Sequence, residues 1–224
     1  MINNKNAFTL TELLVALGIV GAIAALSVPS LLISINNRLL TTQLKSTVGS
    51  VQQLIFDQLI AHKTKNLLET DFKNPATLLT NSNFSVAKTC ADSAKDCWKT
   101  TQDEQGKLIT YRNLNGGTAT PVGAGYTSIL LQNGGIISYS LVTKQVYYAD
   151  TTDDVISDFC MDVNANDGPN MWGRDYFCFY ITRKGKITPL NEDLTLAQKI
   201  TMCKAGNANH CAAAVIENNW VMPY

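Results

Sequence analysis

The sequence predicts an α+β protein: a long N-terminal α-helix, transmembrane in its first half, packed through its second half on an antiparallel β-sheet head. Three observations predict it. Phe8 to Val28 is an apolar run of the roughly 20 residues that cross a bilayer core as a helix. Beyond Pro29 the apolar residues recur at helical spacing. In the second half of the chain, β-rich runs alternate with glycine-containing turns.

The element order begins with a short polar stretch, Met1 to Ala7, whose Lys5 and free amine give a positive-inside bias and place the rest of the chain outside the cytoplasm. Within the apolar run stands one ionisable side chain, Glu12. An unpaired carboxylate there costs about 2.5–3.5 kcal/mol or more, so it needs a partner, a proton, or a route to the headgroups by snorkelling. Removal of the leader after Ala7 would create an ammonium on Phe8, one helical turn from Glu12 and equally available to the Glu12 of a neighbouring subunit. Such a desolvated pair fixes the axial register of packed helices more than it adds stability.

The residues that follow the leader read F-T-L-T-E-L-L-V-A-L-G-I-V-G-A-I-A-A-L-S-V-P. This stretch resembles the prepilin signature of type IV pilins, type II secretion pseudopilins and competence pilins. The resemblance covers the chain from its start to Pro29 and includes Glu12, Gly18, Gly21 and Pro29; Ala7 departs from it, standing where the family has glycine. It implies cleavage between Ala7 and Phe8 by a membrane aspartyl prepilin peptidase and N-methylation of Phe8. It also implies single-pass storage in the inner membrane. An inner-membrane assembly platform would then build the chain, with other pilin-like subunits, into a periplasmic or cell-surface filament: a type IV pilus or a type II secretion-type fibre. A rival reading is an ordinary secretory signal peptide cut at Ala22-Ile23-Ala24, which would release a secreted protein; Glu12 is badly placed inside such a signal.

Past Pro29, apolar positions from Leu32 and Ile35 through Leu44, Val48, Val51 and Ile55 to Leu59 alternate with Asn, Gln, Ser, Thr and Lys, as on an amphipathic helix. A helix from Phe8 to Ile60 would be about 80 Å long at 1.5 Å per residue, too long for one small domain to cover. Its first half must meet lipid or other helices, through small residues such as Ala16, Gly18, Gly21, Ala22 and Ala25. The expected organisation is a leader over 1–7, a transmembrane helix over 8–29, an amphipathic continuation over 30–68 and a globular head over 69–224.

Between Thr64 and Gln105 the pattern is irregular, broken by Asn74-Pro75, and reads as a connection. Strands are expected over Lys107 to Arg112, Tyr126 to Gln132 and Ile136 to Val142, the last two joined by Asn133-Gly134-Gly135. A second hairpin, Tyr176 to Arg183 and Lys186 to Thr188, turns at Lys184-Gly185. The head should therefore carry about four antiparallel strands on the second half of the helix, the layout that the pilin resemblance also implies.

Six cysteines, Cys90, Cys97, Cys160, Cys178, Cys203 and Cys211, fall as three local pairs without any C-x-x-C. That pattern favours disulfides formed outside the cytoplasm over a metal site. Several connectivities are open; sequential pairing would close three short loops, each contributing about 2–3 kcal/mol.

Lys plus Arg equals Asp plus Glu at 18 each, so no global field selects nucleic acid, anionic lipid or an acidic substrate. The stretch holding Asp162, Asn164, Asn166 and Asp167 before Gly168 places oxygen ligands as calcium loops do, but its glycine falls out of EF-hand register. It reads first as a turn held by Asx hydrogen bonds, with calcium as the alternative; some secretion pseudopilins bind that ion nearby. No other cofactor is called for. Ser85-Val-Ala-Lys88 matches S-x-x-K without the companion motifs of serine acylases, His62 and His210 have no nucleophile frame, and the sequence holds no phosphate loop. An enzyme is not expected. Arg183, Lys184 and Lys186 form a basic turn that offers DNA at most a weak contact; the alternative to a purely structural subunit is a minor pilin or competence pseudopilin whose head binds DNA or a surface ligand.

Overall fold

The described residues of the computed structural model are 9–74, 84–90, 97, 110–119, 127–141, 155–189 and 194–224, side chains 140, 141 and 166 excepted. Ala7, Phe8, Lys5 and the rest of the leader lie outside them, as do Pro75 and residues 107–109, 126 and 142 of the expected strands.

Helix α1 runs Leu10–Ala61 and carries Pro29 inside it. Serines flank that proline: Ser27 Oγ donates to the Ile23 carbonyl and Ser30 Oγ to Ser27 O at 2.9 Å, so both hydroxyls are satisfied within the helix. The helix ends by geometry as well as by loss of apolar pattern. Lys63 adopts a left-handed φ of 50°, and Thr64 N–H donates to Leu59 O at 3.1 Å, a Schellman-type cap. The amphipathic continuation thus stops short of the expected residue 68. Two 3-10 turns, Leu67–Glu69 and Asp71–Lys73, follow it, capped by Asn66 and Thr70.

The chain divides into two compact units, Met1–Leu39 and Leu40–Tyr224. In the first, the described part of α1 is exposed along almost its whole length, and its apolar stretch is long and apolar enough to cross a membrane. In the second, α1 buries Leu40, Thr41, Leu44, Val48, Val51 and Ile55, a spacing of three and four that places them on one face.

That face belongs to the main core with an antiparallel sheet. The strands are β1 (Val86–Cys90), β4 (Thr127–Leu131), β5 (Ile136–Leu141), β6 (Val155–Asp162), β7 (Tyr176–Thr182) and β8 (Ile187–Thr188), in the order β1-β4-β5-β6-β7-β8. A separate two-stranded ribbon pairs β2 (Tyr111–Arg112) with β3 (Thr118–Ala119). The α+β pilin-like arrangement read from the sequence is present, with six strands in the sheet among the described residues instead of about four. The two additions have different causes. β1 lies in the stretch read as irregular, and β6 is buried at nearly every position on both faces, which erases the alternation that marks a strand.

Pleat alternation divides the sheet's side chains between two clusters. Ile129, Ile137, Tyr139, Phe159, Met161, Phe177 and Phe179 join α1 in the main core, where Phe159 stacks on Phe179 at 5.2 Å and Tyr139 meets Phe72 edge-on at 5.0 Å. The intervening residues Ile136, Cys160 and Tyr176 join Cys90, Cys97 and Tyr111 in a smaller cluster. Helices α2 (Leu196–Lys204) and α3 (Asn209–Glu217) complete the head. α3 packs on β7, and α2 opens with a capping box between Thr195 and Gln198.

Three disulfides brace this unit: Cys90–Cys97, Cys160–Cys178 and Cys203–Cys211. The second joins residues directly opposed in the β6–β7 register; the third clips α2 to α3.

Candidate functional site

At the start of α1, Thr9 and Glu12 form a reciprocal cap. Glu12 N–H donates to Thr9 Oγ1 at 3.2 Å, while Thr9 N–H and the Thr9 hydroxyl both donate to Glu12 Oε2 at 2.8 Å. A helix's first turn leaves its N–H groups without intrahelical partners and carries the positive end of the macrodipole, so a carboxylate belongs there electrostatically. Glu12 therefore has a partner within its own chain. The signal is legible in the sequence: Thr9-x-x-Glu12 is the capping-box pattern, which the charge in the apolar run does not reveal by itself. The structure brings Glu12 to Thr9; Ala7 and Phe8 lie outside the described residues.

Downstream of the cap, large apolar side chains stand open, with Leu17 60 % exposed, Ile23 60 % and Leu26 82 %. A Cβ added at Gly18 or Gly21 would meet nothing within 4 Å. Among the described residues nothing packs on either glycine; small residues of this kind let helix backbones approach closely in membranes.

The loop that joins β6 to β7 holds the calcium candidates. Asp162 Oδ2 accepts from the Tyr111 hydroxyl and Oδ1 from Asn164 N–H at 3.1 Å; the Asn164 amide donates to Gly168 O at 2.6 Å. Asp167 is exposed, and the Asn166 side chain lies outside the described residues. A second carboxylate, Asp175, accepts N–H groups from Asn170 at 2.5 Å and Met171 at 2.6 Å. Both acids are buried, at 1 % and 0 % exposure. Burial raises the pKa of Asp162, and the nearby Asp175 raises it further; Asp175 is itself raised to about 6, chiefly by burial. Among the described residues no three His, Cys, Asp or Glu side chains gather as a metal-holding group. The arrangement is a braced turn: Arg112 N–H donates to Asn170 O and Trp172 N–H to Arg112 O, lashing the β2–β3 ribbon to it. Gly173 belongs to the same brace, with φ +87° and a missing Cβ that would lie 2.7 Å from Cys211 Sγ.

The basic turn is a bolt between sheet and helix. Gly185 has φ +86°, and a Cβ there would lie 2.6 Å from Ile55 Cγ2. Gln52 Nε2 donates to Gly185 O at 3.2 Å and Leu67 N–H to Arg183 O at 2.9 Å. Arg183 is half-buried, and only Lys184 and Lys186 of the three cations are exposed. Elsewhere, His62 lies 3.7 Å from Asp71 at the surface, His210 is buried in α3, Ser85 precedes β1 and Lys88 lies within it.

Residues 2–28 match the family model for the prokaryotic N-terminal methylation motif. Comparison with curated proteins and with solved structures finds no match. The capped, exposed, apolar start of α1 thus coincides with the methylation motif, and the chain carries the type IV pilin and pseudopilin signature.

Proposed function

We propose that this chain is a structural subunit of a type IV pilus or type II secretion-type filament. A prepilin peptidase cuts between Ala7 and Phe8, Phe8 is N-methylated, and the inner membrane stores the product as a single-pass protein with the head outside the cytoplasm. An assembly platform then transfers the helix from lipid to a bundle of like helices. One observation carries this reading: the segment that matches the methylation motif is also a segment whose large apolar side chains are exposed and whose glycines have nothing within 4 Å of an added Cβ, among the described residues.

The Thr9–Glu12 cap adds a mechanism for the transfer. In the stored subunit the carboxylate is satisfied by Thr9 and the helix N-terminus, so it need not pair with lipid. Once the leader is gone, the Phe8 ammonium of a neighbouring subunit competes for it as a charge-assisted hydrogen bond, about twice as strong as a neutral one. Register is then set subunit by subunit.

Mass spectrometry of the mature protein tests the processing step. Methylated Phe8 is expected at the N-terminus; a product beginning after Ala24 instead identifies a secreted protein released by signal peptidase. Glu12→Ala tests assembly separately, with processing intact and incorporation into filaments lost.

A further inference from the structure

Two adjoining clefts lie along the head between the second half of α1 and the β1 end of the sheet, and they share Ser50 and Phe84. The larger has a volume of about 510 Å³ and the smaller about 160 Å³; small-molecule clefts generally span roughly 300–1,000 Å³. All of their lining residues belong to the compact unit Leu40–Tyr224.

The lining has a consistent chemistry. α1 contributes hydroxyls from Ser46, Thr47 and Ser50 to the larger cleft, and the opposite wall contributes Ser85, Gln132 and Asn133. On the helix wall, Thr47 Oγ1 donates to Gln43 O at 3.0 Å and Ser50 Oγ to Ser46 O at 3.1 Å. Those hydroxyl protons are spent inside the helix, leaving oxygen lone pairs as acceptors. The amide wall supplies donors. Asn133 Oδ1 is held by Gly135 N–H at 3.1 Å, so its NH₂ is the group left to offer. Gln132 is exposed, and its N–H to Ser85 O bond of 2.8 Å pins that wall together. Half-buried Phe84, packed against the main core, is the only aromatic residue among the described lining residues of either cleft. The only charged one is Asp57, steadied by Gln53 Nε2 at 2.8 Å.

We propose that this cleft binds a neutral saccharide chain. A sugar hydroxyl both donates and accepts, so one ring satisfies an acceptor wall and a donor wall together, while its C–H face lies on the electron-rich face of Phe84. Phosphate and nucleic-acid ligands call for cations, and neither cleft has a Lys or Arg among its described lining residues. An acidic saccharide would meet Asp57 as a like charge.

Saturation-transfer NMR on the full chain in amine-oxide micelles, free of sugar-based detergent, tests this. Maltotriose and chitotriose are the neutral probes and a sulfated heparin trisaccharide is the control. Transfer to the ring protons of at least one neutral probe is expected, and none to the sulfated one. A preference for chitotriose assigns the site to cell-wall-type glycan, and a preference for maltotriose to an α-glucan. Gln132→Ala should weaken binding about three- to tenfold. Phe84→Leu, which keeps an apolar residue against the core, should do so at least as much while thermal unfolding of both variants stays close to that of the parent. Absence of transfer to both neutral probes overturns the proposal, as does equal binding of the sulfated control or binding unchanged in both variants.

Discussion

Two stretches of one helix make the sharpest contrast in the molecule. Between Leu10 and Leu39, α1 leaves its large apolar side chains from 49 % exposed at Val28 to 82 % at Leu26; between Leu40 and Ile55 it holds five of them at 0–9 %. Both stretches belong to one α-helix, so helix formation does not separate them. The arrangement of apolar residues around the axis does. In the first stretch they surround the helix, which suits a solvent of lipid or other helices; in the second they form one stripe, which suits a sheet. A helix can thus be addressed to two environments by sequence pattern alone.

Truncating the stripe should break this contrast most strongly. Ile55→Ala removes a fully buried side chain and should lower the head's stability by about 2–5 kcal/mol in chemical denaturation followed by tryptophan fluorescence. Leu17→Ala should leave that curve unchanged and act only on membrane retention or assembly. Glycines give the next test. Gly185→Ala combines a left-handed backbone with a collision against Ile55 and should cost about 2–3 kcal/mol. Gly21→Ala should leave the head's denaturation midpoint unchanged, yet reduce filament yield if helices pack through it.

A third test concerns the head alone. Asp175 has its folded pKa raised from 3.8 to about 6 by burial, so its contribution to stability is fully present below the unfolded value and is lost as pH rises through the folded one. Denaturation midpoints should therefore fall between pH 4 and pH 7, by an amount on the order of 2 kcal/mol, and the fall should be flatter in Asp175→Asn. Smallest is Thr9→Ala, which removes a cap contributing about 1 kcal/mol to the first turn; amide exchange at Glu12 and Leu13 should accelerate while the head is unaffected.

Legibility in the sequence followed these physical differences. α1 was readable because both of its patterns are long and periodic, and the β4–β5 hairpin because Asn133-Gly134-Gly135 announces its turn. β6 was missed because burial on both faces removes alternation, and α2 although Thr195-x-x-Gln198 offered a capping box. Glu12 is conspicuous as a lone acid in an apolar run, whereas its bond to Thr9 is signalled only by the Thr9-x-x-Glu12 spacing. The cleft beside Phe84 could not be seen at all. Its walls come from residues 46–57, 84–85 and 131–133, each an ordinary surface position until the fold brings them together.

The seat of α1 within the Leu40–Tyr224 unit also has a mechanical meaning. A pull on this part of the helix along its own axis would load its packing as shear. There Leu40, Leu44, Val48, Val51 and Ile55 share the load at once instead of peeling away in turn, and the Gly185 turn seated against Ile55 blocks sliding. A head packed this way would resist a pull along that helix.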